Sequence, residues 1–357
     1  MNIDTLFNID PYSLCKNKKS EFLDDYLLDL TRHHYMKSRH YRRMLDALNL
    51  DINEKIPYTE LPFLPVRLFK MYDLASVEKK DIVKTMTSSG TSGQQVSKIF
   101  LDKETSLRQT KALVRIVSKF IGSVRSPMII LDSVSVLKNR NMFSARGAGI
   151  LGFSMFGTKK IYALDDNMEL DIEALNSFVE EHKESRIFIF GFTFMIYKHF
   201  IKELQNRKIN LDLSNATLIH GGGWKKLQSQ SISSKEFKDS LYGLTGLSSV
   251  YDYYGMVEQT GSICMECEYG HLHTSVFSDV IIRRPNDFSL ASIGEKGIIQ
   301  IVSVLPRSYP GHSLLTEDEG ILLGEDDCQC GRLGKYFRVV GRLQNAEIRG
   351  CSDTYAD

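Results

Sequence analysis

Apolar side chains recur at helical spacing between residues 21 and 50, at Phe22, Tyr26, Leu30, Met44 and Leu48. That period predicts helix, and residues 1–80 read as mostly helical. Pro57, Pro62 and Pro65 then mark loop and short turns. Further on the pattern becomes short, continuous apolar runs at 99–101, 128–131, 186–190 and 216–219. Runs of that length between polar turns predict buried strands. Helical patterns fall between them, at about 103–120 with Asp102 as the cap, at 171–182 and at 193–206. Strands alternating with helices predict a layered α/β domain with parallel pairing. Beyond residue 270 little helix is evident. Strand-like runs at 276–282 and 297–304 flank turn clusters such as Arg284-Pro285-Asn286-Asp287. The expected organisation is a helical N-terminal region (1–80), an α/β core (81–270) and a β-rich subdomain with a C-terminal tail (271–357).

Composition narrows the function. The 357 residues are 42% hydrophobic and 25% charged, enough to bury a sizeable core. Lys and Arg number 45 against 44 Asp and Glu, a net charge of +1. A general nucleic-acid-binding surface is therefore not expected. No apolar run approaches the roughly 20 residues of a membrane helix, so membrane insertion is not expected. Nor does the N-terminus carry a secretory pattern, which points to the cytoplasm. In that setting the six cysteines read as metal ligands or reactive thiols rather than a disulfide framework. The basic run at 32–43, with Arg39, Arg42 and Arg43, reads as a solvated helix face before it reads as a docking surface.

Four clusters carry candidate chemistry. Thr87-Ser88-Ser89-Gly90-Thr91-Ser92-Gly93 is a hydroxyl-rich loop. Its glycines allow tight turning, its successive N–H groups can cradle an anion, and Lys98 can add a point charge. It is not the usual nucleotide-triphosphatase loop, because Gln94 stands where that pattern needs lysine. His220-Gly221-Gly222-Gly223 ends a predicted strand, where bare backbone can lie against a flat ligand. Tyr254 lies four residues before Glu258, so a ring that can stack on a purine is followed by a carboxylate that can hold Mg²⁺. Asp318 could accept from a ribose diol, and Arg342 could reach ribose or phosphate. Each cluster alone also reads as linker, turn, chance spacing or surface charge.

In this order the clusters resemble the adenylate-forming superfamily, which includes acyl-CoA ligases and firefly luciferase. The resemblance implies that Ser88, Ser89, Gly90, Thr91, Ser92 and Gly93 with Lys98 bind the ATP phosphates. It implies that Gly221, Gly222 and Gly223 hold adenine, that Tyr254 stacks and Glu258 binds the metal, and that Asp318 and Arg342 hold ribose. The segments 219–225, 254–263 and 347–355 more closely resemble the acyl-protein synthetases of bacterial bioluminescence, the LuxE type. That likeness implies an ATP- and Mg²⁺-dependent ligase that activates a long-chain fatty acid, tetradecanoic acid being the expected one. The acyl-AMP would then acylate a cysteine of the same chain. A fatty acid reductase subunit would receive the acyl group and make aldehyde for luciferase, with an acyl transferase subunit as a further partner. Ordinary superfamily members continue about a hundred residues past Gly341-Arg342 into a mobile domain with a catalytic lysine. This chain is expected to lack that domain.

Cys351 is the expected acyl acceptor. Its thiolate can attack the acyl-adenylate with AMP as leaving group, and Arg349 nearby can favour the thiolate. His220 is a weaker candidate for orienting the carboxylate. Among the other cysteines, Cys267, His273, Cys328 and Cys330 form the preferred set for a structural zinc, with Cys264 and His271 in reserve. Reduced buried thiols without metal are the other reading. A phenylacetate-type acyl- or aryl-CoA ligase and a non-catalytic nucleotide-binding scaffold subunit remain the functional alternatives.

Overall fold

The computed structural model describes every residue except 1, 50, 53, 89–95, 139–144, 225–230 and 344–357. The described chain forms two compact units. The first gathers residues from 1–88, 96–117 and 254–343; the second holds 118–253. These units cut across the three consecutive segments expected from sequence.

After a short helix, Ile3–Leu6, the first unit continues in helices Lys16–Lys37 and Arg39–Ala47. The apolar period suggested one helical stretch, but Ser38 breaks it in an extended conformation, φ −108° and ψ 111°. On the longer helix Phe22, Leu23, Leu27, Leu30 and His34 share a buried face, as i, i+3 and i+4 spacing requires. The break lets the helix after it bury Tyr41 and Leu45 against Leu64, Phe69 and Tyr309. β1 (Leu64–Pro65) follows. β2 (Lys84–Thr87) and β3 (Lys98–Leu101) form an antiparallel hairpin, with Thr87 opposite Lys98. The helix Lys103–Ile121 begins where expected, with Asp102 accepting from the Thr105 N–H at 2.8 Å.

The second unit is a parallel sheet of β4 (Ser126–Ser133), β5 (Gly157–Leu164), β6 (Ile187–Phe192), β7 (Ala216–Gly221) and β8 (Ser249–Tyr254). Its order is β5-β4-β6-β7-β8. Ile129, Ile189, Leu218 and Val250 lie in register across four of these strands. β6 and β7 are buried throughout, which is why they read as unbroken apolar runs. β5 was missed because it is an edge strand whose Thr158, Lys159 and Lys160 are exposed. The helix Ser234–Thr245 was also missed, although Ser233 and Glu236 close a capping box. The helix expected at 193–206 is present, but Ile196–Ile201 is wound as π-helix. Behind β4, Asp132 and Arg146 form a buried pair at 2.9 and 3.0 Å. Burial raises the Asp132 carboxyl to about 6 against the pull of Arg146.

The chain returns to the first unit as β9 (Cys264–Glu266), β10 (Leu272–His273), β11 (Ser278–Arg283), β12 (Lys296–Ser303), β13 (Ser313–Glu325) and β14 (Lys335–Arg342). Their order is β11-β12-β13-β14-β10-β9, with β1 beside β13. The pairs within this order are antiparallel, and β1 joins β13 in parallel. This is the β-rich region the sequence indicated. Among the described residues no helix is long and apolar enough to cross a membrane.

Packed between the N-terminal helices and this sheet, His34 and His312 stack with ring centroids 4.9 Å apart. His34 Nδ1 lies 2.7 Å from Ser76 Oγ, and His312 Nε2 lies 2.9 Å from Thr31 Oγ1. Burial first, then the neighbouring histidines, holds both imidazoles neutral, His312 down to about 3. A group whose folded pKa lies below its unfolded value stabilises above the unfolded pKa and loses that contribution as pH falls. Unfolding free energy should therefore drop from about pH 6.5 downward, by about 1.4 kcal/mol per pH unit for each histidine. Urea melts between pH 7 and 5 measure the slope, and His312→Gln should reduce it by close to one proton. A flat profile would refute the assignment.

Candidate active site

The last residue of β8 and the middle of β13 bring three of the expected nucleotide residues together. The Tyr254 hydroxyl donates to Asp318 Oδ2 at 2.8 Å. Arg342 lies directly opposite Asp318 in the β13–β14 ladder, with its Nε 3.3 Å from Asp318 Oδ1. A second acid also steadies the guanidinium, since Arg342 donates to Glu317 Oε2 at 3.0 Å. Glu317 Oε1 in turn lies 3.4 Å from Arg67 Nε. Burial, followed by the Asp318 charge, raises the Tyr254 phenol well above its ordinary value, so it remains a donor. The result is a carboxylate oriented by a phenol and a guanidinium, with lone-pair capacity left for a diol. Glu317 and Arg67 were not singled out from sequence. The apolar pair Leu314-Leu315 at the start of β13 was the available signal, and the acidic run Glu317-Asp318-Glu319 that follows obscured it.

Glu258 lies on the 3₁₀ turn Val257–Gln259 and is 2% exposed. Two bonds hold this turn from below. Tyr309 donates its hydroxyl to the Glu258 carbonyl at 2.9 Å, and Gln259 Nε2 donates to the Gly311 carbonyl at 2.8 Å. The hydroxyl loop is the connection of the β2–β3 hairpin. Ser88 closes its base by accepting on Oγ from the Ser97 N–H at 2.9 Å. Ser89, Gly90, Thr91, Ser92 and Gly93 lie outside the described residues, as does Cys351. Lys98 reaches Asp73, 3.4 Å away, and both are well exposed.

In the second unit, Gly221, Gly222 and Gly223 leave β7 as bare backbone. A Cβ at Gly221 would stand 2.6 Å from the Tyr253 ring, and Gly222 has φ +89°. Both positions therefore need glycine. His220 is buried at this strand end, its Nδ1 2.9 Å from Thr193 Oγ1 and 3.7 Å from Asp252 Oδ1. Burial, then Lys238, pushes the imidazole down to about 3, so it is neutral at physiological pH. Such a ring can orient a ligand by hydrogen bonding but cannot attract it by charge.

The cysteine and histidine residues converge as well. Cys267, His273, Cys328 and Cys330 offer ligand atoms that all lie within 4.8 Å of one another. Cys267 and His273 flank the β9–β10 turn, and Cys328 and Cys330 sit on the loop between β13 and β14. His271 Nδ1 lies 3.4 Å from Cys328 Sγ. Cys264 instead packs in the core with Leu272 and Phe337. Three sulfurs and one imidazole in a partly buried cluster fit the donor set of a tetrahedral structural zinc.

This arrangement of elements is similar to that of solved ligase structures. A crystal structure of 2-hydroxyisobutyryl-CoA ligase, in an open conformation with 2-HIB-AMP and CoA, superposes with a TM-score of 0.71. It covers 94% of this chain and 77% of that one at 14% identity. The same ligase in its postadenylation state gives 0.70, covering 93% and 70%. At this identity the likeness establishes the fold alone.

Residues 1–357 match the family of acyl-protein synthetases, LuxE, and the chain belongs to that family of ligases. Two relatives share 23% of their residues with it, each named long-chain-fatty-acid–luciferin-component ligase. The one from Aliivibrio fischeri aligns over 99% of this chain and 93% of its own length. The one from Vibrio harveyi aligns over 98% and 91%.

Proposed function

We propose that this ligase activates a long-chain fatty acid, tetradecanoic acid by expectation, with ATP and Mg²⁺. The fatty carboxylate attacks the α-phosphorus, releasing pyrophosphate and forming acyl-AMP. The Cys351 thiolate then attacks the acyl carbon, AMP leaves, and a thioester forms on the chain. A thiol of a fatty acid reductase subunit receives the acyl group by thioester exchange, and the reductase makes the aldehyde used in bioluminescence. An acyl transferase subunit is the further expected partner.

The observation that carries this reading is the Tyr254–Asp318–Arg342 constellation, held rigid beside the Glu258 turn in a chain of the acyl-protein synthetase family. In it Asp318 and Arg342 hold ribose, Tyr254 borders the base, and Glu258 offers a hard oxygen to Mg²⁺. Gly221, Gly222 and Gly223 present backbone to adenine. Ser88 to Gly93 with Lys98 bind the phosphates, and His220 orients the carboxylate. Cys267, His273, Cys328 and Cys330 hold a structural Zn²⁺, which the closeness of their ligand atoms supports. Reduced thiols of this kind suit the cytoplasm.

The decisive experiment supplies ATP, Mg²⁺ and labelled tetradecanoic acid to the purified chain. Fatty-acid-dependent ATP–pyrophosphate exchange and a hydroxylamine-labile label on the protein are expected. AMP release that requires CoA and leaves the protein unlabelled would instead identify an acyl-CoA ligase. Absence of exchange with any fatty acid, with or without the reductase, would point to a scaffold subunit.

A further inference from the structure

The thiol cluster stands at one end of the β13–β14 hairpin, and the Asp318–Arg342 pair stands at the other. The ladder between them is irregular. Its register shifts twice, between Glu319 and Gly320 and between Leu322 and Gly324. Gly320, Gly324 and Gly341 all fall within it. Gly320 and Gly324 are needed by close approach, since a Cβ would meet Ile299 at 2.8 Å and the Tyr336 hydroxyl at 2.4 Å. Glycine-rich strands are prone to slip, and a slip of one residue turns every side chain to the opposite face. Such a slip would carry Arg342 away from Asp318.

The register is held from both sides of β14. Cys328 and Cys330 lie on the loop that joins it to β13. Across its other edge, His273 of β10 pairs with Tyr336 of β14, and the two rings stack at 5.4 Å. Cys267 lies just beyond β9, the strand that pairs with β10. One ion bonded to all four would tie the β9–β10 hairpin to the loop of the β13–β14 hairpin. Without it, Lys335 still pairs with Asp279 at 2.9 Å and anchors the loop end of β14, while the cluster itself retains weaker contacts, such as Cys330 Sγ to His273 Nε2 at 3.3 Å. The loop also keeps the Asp326 bond to the Gly334 N–H at 2.7 Å.

We propose that a zinc ion at Cys267, His273, Cys328 and Cys330 fixes the register of β14 and thereby keeps Arg342 opposite Asp318, so that nucleotide affinity depends on the metal. This rests on the reading of those four residues as a zinc site and of Asp318 and Arg342 as ribose ligands. Zinc per chain is measured by elemental analysis of the full-length protein. ATP affinity is measured by calorimetry, and hydrogen exchange at residues 335–342 by mass spectrometry, before and after chelation.

One zinc per chain is expected. Stripping it should weaken ATP binding about tenfold or more, the equivalent of one lost charge-assisted contact. It should also raise exchange in β14, and added zinc should reverse both effects. Cys328→Ser should resemble the stripped protein, while Cys15→Ser should resemble the parent. If Cys328→Ser fails to fold, the chelated wild-type protein still decides. Equal ATP affinity and equal β14 exchange with and without bound zinc would overturn the proposal. A protein that neither contains nor takes up metal would overturn the zinc site itself, and one that binds no ATP in either form would overturn the nucleotide reading.

Discussion

Asp279→Ala is expected to destabilise the first unit by ~3–5 kcal/mol, the cost of breaking a buried ion pair by removing one partner. Asp279 sits in a buried knot with two lysines. Lys19 Nζ approaches Oδ1 at 3.2 Å, and Lys335 Nζ approaches Oδ2 at 2.9 Å. Tyr58 donates its hydroxyl to the same Oδ2 at 2.5 Å and accepts from Lys335 at 2.7 Å. Burial alone would raise the carboxyl, but the two lysines win and hold it below the usual carboxylate range. The alanine variant leaves two ammonium groups in the interior facing each other across a cavity. Lys19 comes from the first long helix and Lys335 from β14, so the loss would loosen the N-terminal helices from the sheet. Urea unfolding at pH 7 measures the change. Tyr58→Phe, which removes one hydrogen bond and no charge, should cost about 1 kcal/mol. Adding Lys19→Met to Asp279→Ala should recover part of the loss. A change below about 1 kcal/mol for Asp279→Ala would show that water reaches the lysines and that the knot is not dry.

The same knot shows what a sequence conceals. Lys19, Tyr58, Asp279 and Lys335 are ordinary residues at long separations, and no local pattern marks them as partners. Their association is a property of the folded sheet. By contrast β6, β7 and the Asp102-capped helix were legible because burial on both faces or a cap leaves a local signature. β13 was left unassigned because the acidic run Glu317-Asp318-Glu319 interrupts its apolar pattern. The division into units was also hidden, since residues 96–117 and 254–343 join the N-terminal region across a long stretch of chain. Motifs fared differently from elements. Tyr254, Asp318 and Arg342 were chosen for their chemistry at widely spaced positions, and the β8, β13 and β14 strands bring them within hydrogen-bonding distance. Cys267, His273, Cys328 and Cys330 likewise converge because β10 of one hairpin pairs with β14 of the other. The role of Glu317 required the structure, since only the observed register sets it between Arg342 and Arg67.

Cys351→Ser and Asp318→Ala should separate the two halves of the proposed reaction. Adenylation needs the nucleotide held with its α-phosphorus in reach of the fatty carboxylate, and on the proposed reading Asp318 anchors the ribose end of that arrangement. Its removal takes away a charged hydrogen-bond acceptor, frees the Tyr254 hydroxyl and leaves Arg342 to Glu317 alone among the acids that hold it. A loss of about 100-fold or more in pyrophosphate exchange is expected, in line with the cost of misplacing a reactant. Protein acylation should fall with it, because no anhydride forms. Cys351→Ser acts after that step. A serine hydroxyl is scarcely ionised at pH 7, whereas a thiol is a few per cent thiolate and intrinsically more nucleophilic. Acylation should therefore fall by about 100-fold or more, while exchange stays within about twofold of wild type. Any ester that does form would be an oxygen ester, resistant to neutral hydroxylamine and a poor donor to a second thiol. Full hydroxylamine-labile labelling of Cys351→Ser would move the acceptor to another cysteine. Loss of exchange in that variant would instead tie the tail to adenylation itself.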